Sequence, residues 1–291
     1  MFLHQQWRSN KMVSNQYVNS SYTNYIQSIQ NNISLNTDSW NFKSDNSYMS
    51  IVTNVTKNVG VRYLNEILLR FNEIFTLNKN FIIDICNKND TIGKPLKHTF
   101  NNFTTCEPND LRYILHSFLI LEYMKKNNMN DIDIIEIGGG YGGLCYFLNK
   151  LSSLFDITIK SYTILDLLLA SQLQQKYLDN FNIKNVKCYQ LDNLNNLNKN
   201  SFLISNYAFS EISIDIQKQY IKNIINPYVN NGFVLWNHMP LYQFINKKLS
   251  VEIAKRVPLE KIIKETEMPS LTDFIFSKDN DYVEEICVYF K

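Results

Sequence analysis

The chain has 291 residues, a mass of 34.3 kDa and a formal net charge of +2. Its 45% hydrophobic and 19% charged residues are typical of a globular protein with a large core, which excludes general disorder. The basic residues are scattered, and no apolar run approaches the roughly 20 residues that span a bilayer, so we expect neither nucleic acid nor a membrane as a partner.

The first residues and the cysteines indicate the setting of the protein. The opening segment, MFLHQQWRSNKMVSNQ, lacks the apolar stretch of a secretory signal, which favours a cytoplasmic location. Five cysteines lie far apart without a CxxC pair, and they predict reduced, mostly buried thiols. Neither a zinc site nor a disulfide framework is suggested.

Residues 1–108 are predicted to form a mainly helical arm or cap. Residues 1–46 are polar with scattered aromatic side chains, whereas apolar residues recur at three- and four-residue spacing over residues 48–75, which is typical of helices that bury one face. Gly93 and Pro95 then interrupt that period. We expect a homo-oligomer, if one forms, to use this helical region.

Residues 109–291 carry a different pattern. The segment PNDLRYILHSFLILEYMKK predicts a helix that begins after Asn109 or Asp110 as its cap. Short apolar runs (DIIEI, SYTILDL, NVKCYQL, SFLISNY and GFVLWNH) then alternate with helical stretches, which predicts parallel βαβ units. Near the end, LTDFIFS and VEEICVYF flank KDND and predict an antiparallel hairpin. The pattern favours an α/β fold with a mostly parallel sheet.

The segment DIDIIEIGGGYGGL, residues 131–144, holds five of the eight glycines in the chain. It matches the dinucleotide fingerprint GxGxxG at Gly138, Gly140 and Gly143, and it also matches the S-adenosylmethionine (SAM) loop ExGxGxG from Glu136 through Gly142. Both uses need a loop after a strand where a ligand can approach the backbone and the helix amides attract negative charge. The glycines alone therefore leave both ligands open.

The surrounding acidic residues favour SAM. Glu136 could hold its ammonium group, Asp166 at the end of the second strand could accept from both ribose hydroxyls, and Asp192 or Asn193 after the third strand could accept from the adenine amine. The predicted terminal hairpin is the usual finish of class I methyltransferases and not of nicotinamide domains. The predicted cofactor contacts are Glu136, Gly138, Gly139, Gly140, Tyr141, Gly142, Asp166, Leu167, Asp192, Asn193, Asn206 and Arg112.

From about residue 48 the chain resembles the family of sugar O-methyltransferases of bacterial and viral surface-glycan clusters. The resemblance rests on IGKP followed by NDLRYI, then IIEIGGGYGGL, YTILDL, LISNYAFSEIS and NGFVLWN. It departs after the second strand, where the family commonly reads Asp-Leu-Pro-Glu and this chain reads DLLL from Asp166. The resemblance implies a Rossmann-like class I methyltransferase fold, SAM as donor and a sugar hydroxyl, on a sugar or nucleotide sugar, as acceptor.

A sugar hydroxyl needs a general base with a pKa near neutrality. His238, directly after the fifth strand, is the first choice, and Glu211 is the second. Tyr207 and Trp236 could stack on a sugar face, with Asn237 between the strand and His238 as a further substrate contact.

Arg112 or Tyr113 is expected near the SAM carboxylate, and no metal is predicted. Asn206 and Asn237 stand at the ends of the fourth and fifth strands, where metal-assisted O-methyltransferases need acidic ligands.

Three other functions stay open on the sequence. SNYAF faintly resembles the Asn/Ser-Pro-Pro-Tyr motif of N-methyltransferases that act on nucleic acids or small amines, although its prolines are missing. A non-catalytic scaffold with this fold and a nicotinamide oxidoreductase are the remaining alternatives. The intact glycine loop with both acidic residues disfavours the scaffold.

Overall fold

A computed structural model describes residues 20–190, 197–212, 214–236, 271–276 and 286–290. The described part of the N-terminal region is mainly helical, as predicted. Its four α-helices are α1 (Ser20–Ile33), α2 (Asn46–Met49), α3 (Lys57–Leu77) and α4 (Lys79–Asn89), and they are followed by a short antiparallel pair, β1 (His98–Thr99) and β2 (Thr105–Cys106).

Helix α5 (Pro108–Lys126) begins earlier than the sequence predicted. Its N-cap position is Glu107 and Pro108 occupies the first turn, where a missing N–H costs nothing and the fixed φ of proline suits a helix. The prediction that Asn109 or Asp110 caps this helix was wrong. Their side chains make other bonds, since Asn109 donates to Glu107 and Asp110 accepts from Asn89.

Strands and helices alternate after α5, as predicted. The strands are β3 (Asp131–Ile137), β4 (Thr158–Asp166), β5 (Val186–Gln190), β6 (Ser201–Asn206), β7 (Val229–Trp236), β8 (Leu271–Phe276) and β9 (Ile286–Phe290). The helices between them are α6 (Gly143–Leu151), α7 (Leu168–Asn180), α8 (Ala208–Glu211) and α9 (Ile214–Tyr220), the last continued by a π-helical turn over Ile221–Ile225 and a helical turn over Asn226–Tyr228.

The strands form one seven-stranded sheet in the order β5-β4-β3-β6-β7-β9-β8. The first five strands of this order are parallel, and β9 pairs antiparallel with both β7 and β8. The strand order reverses between β3 and β6, and such a switch point opens a crevice at the carboxyl ends of the strands where α/β proteins bind ligands. This topology is that of the Rossmann-like class I methyltransferases, which confirms the predicted fold.

The core lies on both faces of the sheet because side chains alternate along each strand. Ile134 of β3 belongs to a large cluster that also contains side chains of α1, α3, α4, α5, α6 and α7, whereas its neighbour Ile135 belongs to a second cluster with Ile224 and Ile225. The described N-terminal helices therefore share one continuous core with the sheet. Among the described helices, none combines the length and the apolar character needed to cross a bilayer.

Candidate functional site

The glycine loop connects β3 to α6 at the switch point of the sheet. Gly138, Gly140 and Gly142 have φ angles of +75°, +58° and +93°, which L-residues rarely adopt. The loop is also tightly packed, since a Cβ on Gly138 would lie 2.1 Å from the Cβ of Ala208 and one on Gly140 would lie 2.9 Å from a methyl carbon of Val52. Protein atoms thus pack closely on Gly138 and Gly140, and the approach of a ligand to the loop backbone stays a prediction.

Asp166 ends β4 beside this loop, and its carboxylate accepts three hydrogen bonds. Oδ2 accepts from the N–H of Gly139 at 3.1 Å and from Gln174 at 2.7 Å, and Oδ1 accepts from the N–H of Leu167 at 2.7 Å. Burial raises the pKa of Asp166 to about 6, against the opposing effect of these donors. Gln174 also donates to the carbonyl of Gly140 at 3.0 Å, so one side chain holds the carboxylate and the loop together.

Glu136, two residues before the loop, faces the interior. It is 1% exposed, and its Oε2 accepts from the hydroxyl of Tyr162 at 2.9 Å. Burial raises the pKa of Glu136 to about 8, so the side chain is mostly protonated and neutral at pH 7. Its predicted contact with an ammonium group stays a prediction, and the geometry supports instead a link between β3 and β4.

The ring of Tyr141 also points away from the crevice. It is fully buried and packs against Phe42 and Tyr177 at ring-centroid distances of 5.5 and 4.9 Å, while the ammonium of Lys43 lies 4.6 Å from its centroid. Within the glycine loop, Tyr141 therefore offers its backbone, and not its ring, to the crevice. This packing fixes the loop to the N-terminal helical region.

Arg112 on α5 binds the segment of residues 52–54, which precedes α3 and packs on the glycine loop. Its guanidinium donates to the carbonyl of Val52 at 2.7 Å and to Oδ1 of Asn54 at 3.1 Å, and it lies 5.9 Å from the ring centroid of Tyr207. Because Val52 also packs on Gly140, this buried cation lies close to the loop. A positive charge here fits the predicted role of Arg112 toward a carboxylate.

The carboxyl end of β6 carries the second part of the site. The amide of Asn206 is bonded to Nδ1 of the buried His116 at 3.0 Å, and its Oδ1 is buried without a hydrogen-bond partner. Tyr207, the next residue, has a φ of +65°, and its N–H donates to the carbonyl of Leu235 on β7. A non-glycine residue held in this region costs of order 1–3 kcal/mol, and such strain concentrates at functional sites.

Glu211 ends α8, the short helix that follows Tyr207, and it is half-buried. Ala208 at the start of the same helix is the residue that packs on Gly138. The structure therefore brings the start of α8 to the glycine loop, and the role of Glu211 stays a prediction.

Several predicted residues lie outside the described part of the chain: Asp192, Asn193, Asn237 and His238. Trp236 ends β7, and only its backbone is described. Their roles stay predictions.

Sequence reasoning missed Gln174, Val52 and His116. Gln174 and Val52 touch the loop only through tertiary packing, and no motif marks them. His116 lies four residues after Arg112, a spacing that places both on one face of α5, so that spacing was the one available signal.

Neither a known protein family nor a curated protein matches this sequence. Solved structures with a similar fold include M. capricolum TrmK in complex with S-adenosylhomocysteine, with 13% identity, a TM-score of 0.37 and coverage of 58% of this chain and 66% of that chain. A proposed SAM-dependent methyltransferase from Methanococcus maripaludis has 16% identity and a TM-score of 0.41, over 61% of this chain and 84% of the other.

The N-methyltransferase NodS from Bradyrhizobium japonicum WM9 has 11% identity and a TM-score of 0.40, over 62% of this chain and 96% of the other. Because these likenesses are so distant, the sheet topology and the loop geometry define the fold of this chain.

Proposed function

We propose that this protein is a SAM-dependent methyltransferase that transfers a methyl group to a hydroxyl of a sugar or nucleotide sugar. The observation that carries the proposal is the carboxylate of Asp166, held against the N–H of Gly139 where β3 and β4 end. A hydroxyl-binding carboxylate next to a glycine loop is the arrangement that an adenosine cofactor requires at the switch point of such a sheet.

The residues present fit this cofactor. An ionised carboxylate offers about four acceptor positions, and Asp166 uses three of them, which leaves capacity for a ribose hydroxyl. Arg112 supplies a buried positive charge for the carboxylate of the amino-acid end. The contact of Glu136 with the ammonium group stays a prediction, since its Oε2 already accepts from Tyr162.

When bound, SAM supplies an electrophilic methyl group on a sulfonium. The protein must then hold the acceptor oxygen in line with that methyl group and remove its proton. We assign proton removal to His238, with Glu211 as the alternative, and acceptor positioning to Tyr207, Trp236 and Asn237. The strained backbone of Tyr207 supports a functional role for the end of β6.

The sugar acceptor is supported by the motif resemblance, from IGKP and NDLRYI through LISNYAFSEIS and NGFVLWN. We also propose a cytoplasmic location and no nucleic-acid or membrane partner. The scattered basic residues and the lack of a long apolar run in the sequence support this. The N-methyltransferase and the scaffold remain as outcomes of the experiments.

Calorimetry of the full chain tests the cofactor. We expect SAM and S-adenosylhomocysteine to bind at one site per chain and NADH not to bind. Tight NADH binding without SAM binding would refute the methyltransferase assignment. Incubation with methyl-labelled SAM and a panel of nucleotide sugars and amines then tests the acceptor. Label on an amine alone would refute sugar O-methylation while leaving the cofactor assignment intact.

Asp166→Ala tests the observation on which the proposal depends. It should weaken SAM binding by on the order of 1–3 kcal/mol, because a hydroxyl loses its charged acceptor. In the wild type, affinity should fall as pH decreases through about 6, where Asp166 takes up a proton. Asp179→Asn, an exposed carboxylate on α7, is the matched control and should leave affinity unchanged. Equal affinities in wild type and Asp166→Ala would remove Asp166 from the site.

A further inference from the structure

A buried cluster of three carboxylates lies where α4, β2 and α5 meet. Asp90 follows α4, Glu107 occupies the N-cap position of α5, and Asp110 lies in the first turn of α5. Their exposed fractions are 9%, 2% and 0%. The sequence predicted no metal because the ends of the fourth and fifth strands lack acidic ligands, and the present cluster lies on other elements.

Lys43 is the cation of this cluster, and its bonds are already used. Its ammonium is 3.3 Å from Oε2 of Glu107 and donates to the carbonyl and the side-chain oxygen of Asn89, each at 2.9 Å. An ammonium has three donors, so these three acceptors account for all of them. Lys43 therefore neutralises Glu107 and donates to neither Asp90 nor Asp110.

Oxygens remain without partners around this point. Asp90 accepts from the N–H of Glu107 through Oδ2, and Asp110 accepts from Asn89 through Oδ1, while Asp90 Oδ1 and Asp110 Oδ2 are buried without a hydrogen bond. Oε2 of Glu107 has only the ion pair with Lys43, and Oδ1 of Asn109 is also buried and unpaired. An unpaired buried polar atom costs about 1–3 kcal/mol, and more when it is charged.

The charge of the cluster is unbalanced by two. Three ionised carboxylates and one ammonium leave a net charge of −2 away from water, and Lys97, which also acts on Asp90, is exposed to solvent. Either protons or a divalent cation must compensate it.

The spacing of the carboxylates suits a single ion. One ligand atom from each of Asp90, Glu107 and Asp110 lies within 4.8 Å of the others. A common point then lies no more than about 2.8 Å from all three, close to the 2.3–2.6 Å of calcium–oxygen bonds.

We propose that Asp90, Glu107 and Asp110 bind one divalent cation of the oxygen-preferring class, represented by Ca²⁺, Mn²⁺ and Mg²⁺. Asn109 Oδ1 is a further oxygen in this part of α5. The site is structural: Asn89, which donates to Asp110, accepts from the hydroxyls of Tyr141 and Tyr177, so the cation would brace the contact between the N-terminal helices and the glycine loop.

Calorimetry on the full chain, first dialysed against a chelator, tests this site with CaCl₂, MnCl₂, MgCl₂ and ZnCl₂ separately. We expect one ion per chain with at least one of the first three salts, and a higher melting temperature when it is bound. Asp110→Asn and Asp90→Asn should each weaken cation binding by about 100-fold or more. Substitutions of residues that only support the metal ligands typically cost about 10- to 100-fold. Asp84→Asn, an exposed carboxylate on α4, should have no effect.

Asp110→Asn should also fold, because the amide keeps the shape of the side chain and removes an uncompensated charge. Without cation, its melting temperature should equal or exceed that of the wild type.

The proposal is overturned if none of the three salts binds, which would leave protons as the compensating charge, or if both Asn variants bind as tightly as the wild type. Cys86 and Cys106 form a second potential ligand group with Asp110. Zinc binding alone, lost in Cys86→Ser, would therefore also overturn the proposal in favour of a thiolate site.

Discussion

The buried carboxyl of Glu136 should make the stability of the protein depend on pH in a defined direction. In an unfolded chain this group loses its proton near pH 4.5, whereas in the folded protein burial and the negative charge of Asp166 raise its pKa to about 8. Between these values the folded state holds one more proton than the unfolded state. Its stability therefore falls as pH rises through this interval and levels off above pH 8.

The size of the effect follows from the same two pKa values. Each pH unit in which one proton separates the two states changes the free energy of unfolding by about 1.4 kcal/mol. Over the interval from pH 4.5 to about 8, Glu136 alone would remove about 5 kcal/mol, an upper figure because partial exposure in fluctuations reduces it. Asp166 and Asp90, whose pKa values burial raises to about 6, add slopes of their own at lower pH, so the contribution of Glu136 is measured as a difference between variants.

Glu136→Gln measures that difference. The amide can still accept the hydrogen bond of Tyr162 but cannot ionise. Between pH 5 and 8 the free energy of unfolding of the variant should therefore fall less steeply with pH than that of the wild type, by up to about 1.4 kcal/mol per pH unit. Urea unfolding at pH 5, 6, 7, 8 and 9 measures both curves. Asp131→Asn, an exposed carboxylate on the same strand, should keep the wild-type slope. Parallel curves for wild type and Glu136→Gln would show that Glu136 ionises normally in the folded protein.

Two other predictions concern the loop and the base. Gly138→Ala should cost about 1–3 kcal/mol of stability more than Gly142→Ala. Both glycines have a positive φ, but only at Gly138 would the new Cβ meet the rigid Cβ of Ala208. Urea unfolding measures both losses, and equal losses would contradict this packing. His238→Ala should lower kcat by roughly 10²- to 10⁴-fold with little change in SAM affinity, and a large loss in Glu211→Gln with a small one in His238→Ala would reverse the two roles.

Most of the fold could be predicted from local patterns. The alternation of apolar runs and helical periods predicted that β3 to β7 are parallel, and the two last apolar runs predicted the antiparallel pair β8 and β9. The start of α5 was misassigned because Asn109 and Asp110 are frequent N-caps, whereas here Pro108 begins the helix and both side chains are used in buried tertiary bonds.

The candidate site was predictable where a residue follows directly from strand order, as at Asp166 and the glycines. It was not predictable where burial decides the chemistry. Glu136 has the position of a cofactor ligand in the motif, and the sequence does not reveal that it is buried with its Oε2 accepting from Tyr162 of the neighbouring strand. No local pattern reveals Gln174, which is eight residues from Asp166 and meets it through the packing of α7 on the loop.

The N-terminal helices help to set the position of the proposed cofactor loop. Arg112 holds Val52 over Gly140, and Tyr141 extends from the same loop into the aromatic cluster beside Lys43. Both contacts link residues of the predicted cap to the backbone that would bind SAM, and both are made inside a shared core. A movement of these helices would therefore move the loop as well, so a change in the buried network around Lys43 should reach the cofactor site through Tyr141.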